Sequence, residues 1–231
     1  MNRRSLLAAT AGLAGGGLVA GAAAGPLAEV AVKASIRGSI NAEEFGVWPD
    51  ALDDQSRAFR RMLDQSAARG VPVFLPPGRY VVSNIRLPGG ARLAGVPGAT
   101  RIVYGGDGYL FAAEDAATID LDGLSIDGAN RPLGDEAQAL VEMRRVARFT
   151  MDRCEIVGSG GTAVATERTS GSIERSTISG AAAIGLYCVE SGRMRIADNI
   201  VTDCADGGIL VHRWQAGGDG TIVTGNRIER I

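Results

Sequence analysis

One short pattern returns five times along the second half of this chain, and it limits the fold more than any other feature. It reads Leu121-x-x-Leu124-x-Ile126, Met151-x-x-Cys154-x-Ile156, Ile173-x-x-Ser176-x-Ile178, Ile196-x-x-Asn199-x-Val201 and Val223-x-x-Asn226-x-Ile228. The closing positions 126, 156, 178, 201 and 228 stand 30, 22, 23 and 27 residues apart. Self-similarity at such a period marks a solenoid, because units this short cannot bury a face alone and gain stability only by stacking. Three units carry a second apolar strand, at Thr162–Thr166, Leu186–Val189 and Ile209–His212. Two or three short strands per 22–30 residues fit a parallel β-helix coil better than a leucine-rich or hexapeptide solenoid. Composition agrees: Gly supplies 33 of 231 residues and aromatics only 5%, as many tight turns between short strands require.

Alternation along each coil assigns its faces. Ile178, Leu186 and Cys188 are expected beneath Val201, Ile209 and Val211 as interior aliphatic ladders, with Tyr187, Val189, Leu210 and His212 outside. Asn199 and Asn226 share one repeat position and are expected to start a hydrogen-bonded asparagine ladder at a turn.

The N-terminus carries a different signal. Asn2-Arg3-Arg4-Ser5-Leu6-Leu7 sets paired arginines before an uncharged run of Ala, Gly, Leu and Val from Leu6 to Ala24. This is the layout of a twin-arginine secretory signal, and Ala22-Ala23-Ala24 supplies an A-x-A cleavage site. The run is too poor in Leu and Val to hold as a membrane anchor. Residues 1–24 are therefore read as a signal peptide and 25–43 as a spacer. The mature protein is expected in the periplasm or outside the cell, with the twin-arginine translocase as partner and no stable membrane span after cleavage. A protein exported already folded would bury Cys154, Cys188 and Cys204 in reduced form; an odd count without C-x-x-C spacing argues against a disulfide framework or a zinc site. The formal net charge of −2, with both signs interspersed, leaves no electrostatic footprint for nucleic acid.

Between spacer and repeats, Asp53 or Asp54 is placed to cap an amphipathic helix built on Phe59, Met62, Leu63 and Ala67 and closed by Arg69-Gly70. Short strands follow around Val71–Leu75, Arg79–Val82, Ile85–Leu87, Ala91–Leu93 and Arg101–Tyr104. The order Glu44-Phe45-Gly46-Val47, Asp53-Asp54, Val73-Phe74-Leu75-Pro76-Pro77-Gly78-Arg79-Tyr80, then Leu93-Ala94-Gly95 resembles the N-terminal region of pectate-lyase-like β-helix proteins. The usual Gly-Asp-Gly before the helix is replaced by Trp48-Pro49-Asp50-Ala51-Leu52. The resemblance implies an all-β, right-handed parallel β-helix with an N-terminal capping α-helix over about 44–104 and repeats over about 117–231. With the N-terminal signal, the chain also resembles a family of twin-arginine-translocated repeat proteins of unassigned function. Thr221 to Ile231 brings no cap after the last repeat, so the stack is expected to continue beyond Ile231.

The chemistry expected of such a fold is carbohydrate chemistry, by carboxylates with calcium and a basic residue or by paired aspartates. Lys33 is the only lysine, which removes a lysine base, and the Gly-His-Gly and Arg-Ile-Lys of polygalacturonases are missing. The candidate saccharide-binding strip is Tyr187, Glu190, His212, Arg213 and Trp214, where Glu190 and Arg213 occupy equivalent positions on successive turns and the rings can stack on a sugar. Read structurally, the same residues are an exposed salt bridge and a solvated histidine. Calcium candidates are Asp120, Asp122 and Asp127, near Asn130, Asp135 and Glu136 in the following loop, together with Asp203 and Asp206 in a turn; such carboxylates more often cap local amides. The 131–145 stretch is expected as an insertion walling a groove. The leading expectation is an exported β-helix protein that binds a polysaccharide on its outer face. The alternatives are a polysaccharide lyase or glycoside hydrolase, and a non-catalytic structural envelope protein.

Overall fold

In a computed structural model, residues 38–231 except 215 are described; residues 1–24, read above as a signal peptide, lie outside them. Every strand pairing is parallel, and the strands stack into three sheets of eight, six and seven. The result is a β-solenoid of about seven coils. Among the described residues the one α-helix, α1 (Ser56–Arg69), lies in the N-terminal region. No described helix is long and apolar enough to cross a membrane.

The repeat alignment and the observed register coincide. Ile126, Ile156, Ile178, Val201 and Ile228 pair in one column, and Leu121, Met151, Ile173, Ile196 and Val223 in another. Parallel in-register stacking places like residues on like and yields continuous interior ladders. Leu186 and Cys188 pair with Ile209 and Val211. The first two are buried, whereas Val211, Val223 and Ile228, on the last described coil, are 41%, 47% and 47% exposed because no described coil lies over them.

The fourth position of the repeat carries a polar column, Cys154–Ser176–Asn199–Asn226. Cys154 N–H donates to Ser176 Oγ at 3.1 Å, Ser176 N–H to Asn199 Oδ1 at 2.9 Å, and Asn199 N–H to Asn226 Oδ1 at 3.0 Å. Asn199 Nδ2 also donates to Ile173 C=O at 2.8 Å and to Asn226 Oδ1 at 2.9 Å. The expected asparagine ladder is present, and it serves the backbone: a sheet that turns a corner leaves N–H groups without a ladder partner, and these side chains satisfy them.

Helix α1 packs Phe59, Met62 and Leu63 onto the first coils, with the Phe59 ring 6.3 Å from that of Phe111. Gly70 closes it at φ 64°. At its start Asp54 accepts from Ser56 N–H and Oγ, both at 2.9 Å, while Asp53 makes no such contact. The Pro-Pro-Gly-Arg-Tyr segment explains its own composition. Gly78 has φ 142°, and a Cβ there would meet Pro49 Cβ at 2.4 Å. The buried Tyr80 donates its hydroxyl to Pro76 C=O at 2.9 Å. The Trp48–Asp50 segment that stands in place of Gly-Asp-Gly thus packs on this turn.

The three cysteines are free and buried. Burial pushes the Cys154 thiol up to about 12 and the Cys188 thiol to about 11, so both are inert small hydrophobes.

A candidate carbohydrate groove on the six-stranded sheet

The six-stranded sheet runs Ile85–Arg86, Phe111–Glu114, Ala139–Arg144, Thr162–Glu167, Ile184–Val189 and Gly207–His212. Register stacks its outward residues into two columns. Arg86, Ala112, Glu142, Ala165, Tyr187 and Leu210 form one; Glu114, Arg144, Glu167, Val189 and His212 form the other. Two cavities of about 470 Å³ each lie over these columns and share Glu142 and Arg144. Together they cross five strands, about 20 Å at roughly 4.8 Å per spacing.

Loops close the two sides. Gly134, Asp135, Glu136, Ala137 and Gln138 line one, and Trp214 lines the other beside Tyr187. The expected 131–145 insertion is thereby corrected at one end: Ala139–Arg144 is a strand of the sheet, in register with Thr162–Glu167, and the wall is the loop before it. Its interior residues Leu140, Val141 and Met143 are fully buried, which an exposed loop would not allow.

Glu142 occupies the floor where the cavities meet and is only 7% exposed. One oxygen accepts from Gln138 N–H at 3.4 Å, and the other lies 3.8 Å from Arg144. Burial lifts its carboxyl above the usual carboxylate range; Gln138 and Arg144 oppose this, and the charges of Glu114 and Glu167 add to it. A carboxyl that retains its proton at higher pH is equipped to donate one. Arg144 reaches Glu167 at 3.4 Å through an Nε that is buried and makes no hydrogen bond.

The residues read from the sequence divide here. Tyr187 and Trp214 line the first cavity. Trp214 is 62% exposed, with the Arg168 guanidinium 6.0 Å from its ring centroid. Glu190 and Arg213 do sit on successive turns and pair at 3.6 Å, but outside the cavity lining, and Arg213 also meets Asp219 at 3.6 Å. Glu190 accepts from Trp214 N–H at 2.5 Å, so this pair holds the corner that presents Trp214. His212 stands exposed on the second column, beyond the lining. Glu114, Glu142, Arg144 and Glu167 were missed. The alternation in Ala139-Leu-Val-Glu-Met-Arg144 carried the signal, yet the 30-residue spacing of that coil hid its second strand.

The aspartates read as calcium ligands are dispersed. Asp122 accepts from Arg153 at 2.6, 2.7 and 3.1 Å, Asp127 pairs with Arg101 at 2.9 Å, and Asp203 with Arg230 at 2.6 Å. Asp127 also accepts from Ala129 N–H at 2.7 Å. Asp120 lies two residues before Asp122 on the same strand, between Arg92 and Thr150 of the neighbouring coils, and Asp206 is in an exposed turn. Among the described residues no three His, Cys, Asp or Glu side chains converge as a ligand set.

Comparison with known proteins extends the picture. No curated protein matches the sequence. Among solved structures, the pre-mature bacteriophage phi29 gene product 12 superimposes with a TM-score of 0.67 at 16% identity over 88% of this chain, which spans 31% of the phage protein. A putative glycosyl hydrolase from Parabacteroides merdae gives 0.69 at 12% identity, covering 83% of this chain and 98% of that one. The catalytic unit of a thermostable GH87 alpha-1,3-glucanase from Streptomyces thermodiastaticus gives 0.62 at 18% identity, over 84% and 41%. At these identities the likeness is one of fold. By sequence, residues 105–231 match the family described as "Right handed beta helix region", more than half of the chain. The chain belongs to the right-handed β-helix family.

Proposed function

We propose that this is an exported protein that binds a polysaccharide along the outer face of its six-stranded sheet. The observation that carries this reading is the groove of two cavities joined at Glu142 and Arg144 and flanked by Tyr187 and Trp214. An elongated concavity with aromatic rings and a few polar groups suits a sugar chain, whose apolar ring faces stack while its hydroxyls hydrogen-bond. The structural neighbours described above as a putative glycosyl hydrolase and an alpha-1,3-glucanase catalytic unit support it. The test is a glycan array followed by calorimetry on any hit. Trp214→Ala and Tyr187→Ala should each weaken binding at least about fivefold, a loss of about 1 kcal/mol, with the circular dichroism spectrum unchanged. No hit, or undiminished affinity in both variants, refutes it.

A second reading, hydrolysis of the bound glycan, is favoured by Glu142 alone. A buried carboxyl with a raised pKa is the state a proton donor to a leaving oxygen needs. A reducing-end assay on the bound glycan decides it: activity abolished in Glu142→Gln supports hydrolysis, and its absence in the wild type leaves binding as the function.

A further inference from the structure

Among the described residues, the groove is acidic on balance. Asp107, Glu114, Asp135, Glu136 and Glu142 line the second cavity, and Glu167 joins Glu142 in the first. Against these six carboxylates stand two guanidiniums, Arg86 and Arg144. Both are already engaged: Arg86 lies 3.9 Å from Glu114, and Arg144 lies 3.8 Å from Glu142 and 3.4 Å from Glu167. Arg145 and Arg168 pair with Glu114 and Glu167 from beside the lining, so six carboxylates face four guanidiniums, a net of −2 with Glu142 ionised and −1 with Glu142 protonated.

This balance is local. The whole chain holds 24 basic and 26 acidic residues, and elsewhere arginines answer carboxylates from coil to coil, as in Arg153–Asp122, Arg175–Asp152, Arg195–Glu174 and Arg230–Asp203. In the groove, Arg145 reaches Glu114 at 2.5 Å and Arg168 reaches Glu167 at 3.8 Å from beside the lining, so the carboxylates left unanswered are those of the rim. Asp107, Asp135 and Glu136 are exposed at its rim, and among the described residues none of the three has a salt-bridge partner. The low-dielectric floor around buried Glu142 focuses the resulting negative potential into the concavity.

A polyuronate would bring a carboxylate on every sugar into this field, where the lining guanidiniums Arg86 and Arg144 are already held by carboxylates. A chain of amino sugars would bring ammonium groups to carboxylates that lack partners. We propose that the groove selects an amino-bearing, cationic saccharide over a neutral one and discriminates against uronates. The proposal rests on the carbohydrate reading above and names the class of sugar that the same groove takes.

The experiment is titration calorimetry of the whole protein at about pH 6 with three hexasaccharides of matched length: a fully deacetylated chitosan hexamer, cellohexaose and a hexagalacturonate. We expect the chitosan hexamer to bind at least about tenfold more tightly than the hexagalacturonate at low salt, with cellohexaose between them. Raising the salt to about 0.5 M should narrow the gap through screening. The double substitution Asp135→Asn with Glu136→Gln, at two exposed side chains without an ion pair among the described residues, should narrow it at low salt. Tyr187→Ala should weaken the chitosan hexamer, which a merely non-specific attraction to an acidic surface would not show. Hexagalacturonate binding as tightly as the chitosan hexamer overturns the charge proposal and leaves the carbohydrate reading standing, as does a gap unaffected by the double substitution. Failure of all three sugars to bind overturns both.

Discussion

Replacing Asn199 by alanine tests whether the polar column holds the corner of the solenoid. Asn199 is 1% exposed. Its side chain accepts from Ser176 N–H at 2.9 Å and donates to Ile173 C=O at 2.8 Å. Alanine cannot do either, and both backbone groups lie where water does not reach. A buried group left without its partner costs about 1–3 kcal/mol, so the two together should cost about 3–5 kcal/mol. Asn226 occupies the same repeat position one coil later, partly open to solvent. Asn226→Ala would free Asn199 N–H and Ile196 C=O where water can partly replace the amide, for a loss of about 1–2 kcal/mol. Ser176 shows that a hydroxyl at this position can accept the N–H of the preceding coil. Asn199→Ser should therefore keep the bond to Ser176 and lose those to Ile173 and to the partly solvated Asn226, giving a loss clearly smaller than that of alanine. The assay is equilibrium guanidinium unfolding followed by circular dichroism, comparing midpoints at constant slope. An Asn199→Ala loss below about 1 kcal/mol, a loss no larger than that of Asn226→Ala, or a serine variant no better than alanine would refute the reasoning.

Burial raises the Glu142 carboxyl above its reference value of 4.5, so on raising pH the unfolded chain sheds this proton first and native stability falls until the folded pKa is passed. Glu142→Gln should remove that loss: thermal melts should match the wild type near pH 4 and exceed it by a degree or more, on the order of a few tenths of a kcal/mol or above, near pH 8, and a variant equally stable or weaker at pH 8 would count against it. Gly171 has φ 135°, and a Cβ there would lie 1.9 Å from Phe149 C=O oxygen. Gly171→Ala should therefore destabilise by about 3 kcal/mol or more in the same unfolding assay, and a near-neutral result would contradict the packing of that corner. Exchange of Arg3 and Arg4 for lysine should retain the protein in the cytoplasm as the uncleaved form on immunoblots of cell fractions, and unaltered export would remove the twin-arginine proposal.

The repeat itself was written plainly in the sequence. Once a chain stacks in parallel register, like lies on like, so five aligned apolar positions become five neighbours in one column, and Ile126 to Ile228 could be placed by counting. The helix from residue 56 to Arg69 and the Gly70 stop followed from amphipathic spacing and a left-handed cap. The outward setting of Tyr187 and His212 followed from period-two alternation, and Asn199 over Asn226 from the repeat. Each of these is decided by neighbours near in sequence or by a fixed period.

The groove was not, because it belongs to no single coil. Glu142 is outward by alternation, yet its burial comes from the loop before its own strand and from side chains on the coils either side. Only the stacked columns reveal that Glu114, Arg144 and Glu167 share one face with it. Glu190 and Arg213 were correctly paired by the repeat, while the direction of Glu190 toward the backbone of Trp214, and of Arg213 toward Asp219, depended on the path of the chain beyond residue 212. Alternation and period specify which side of a coil a residue occupies. Whether that side is covered, and which charges from other coils surround it, is set by packing between segments far apart in the chain, which no local pattern encodes.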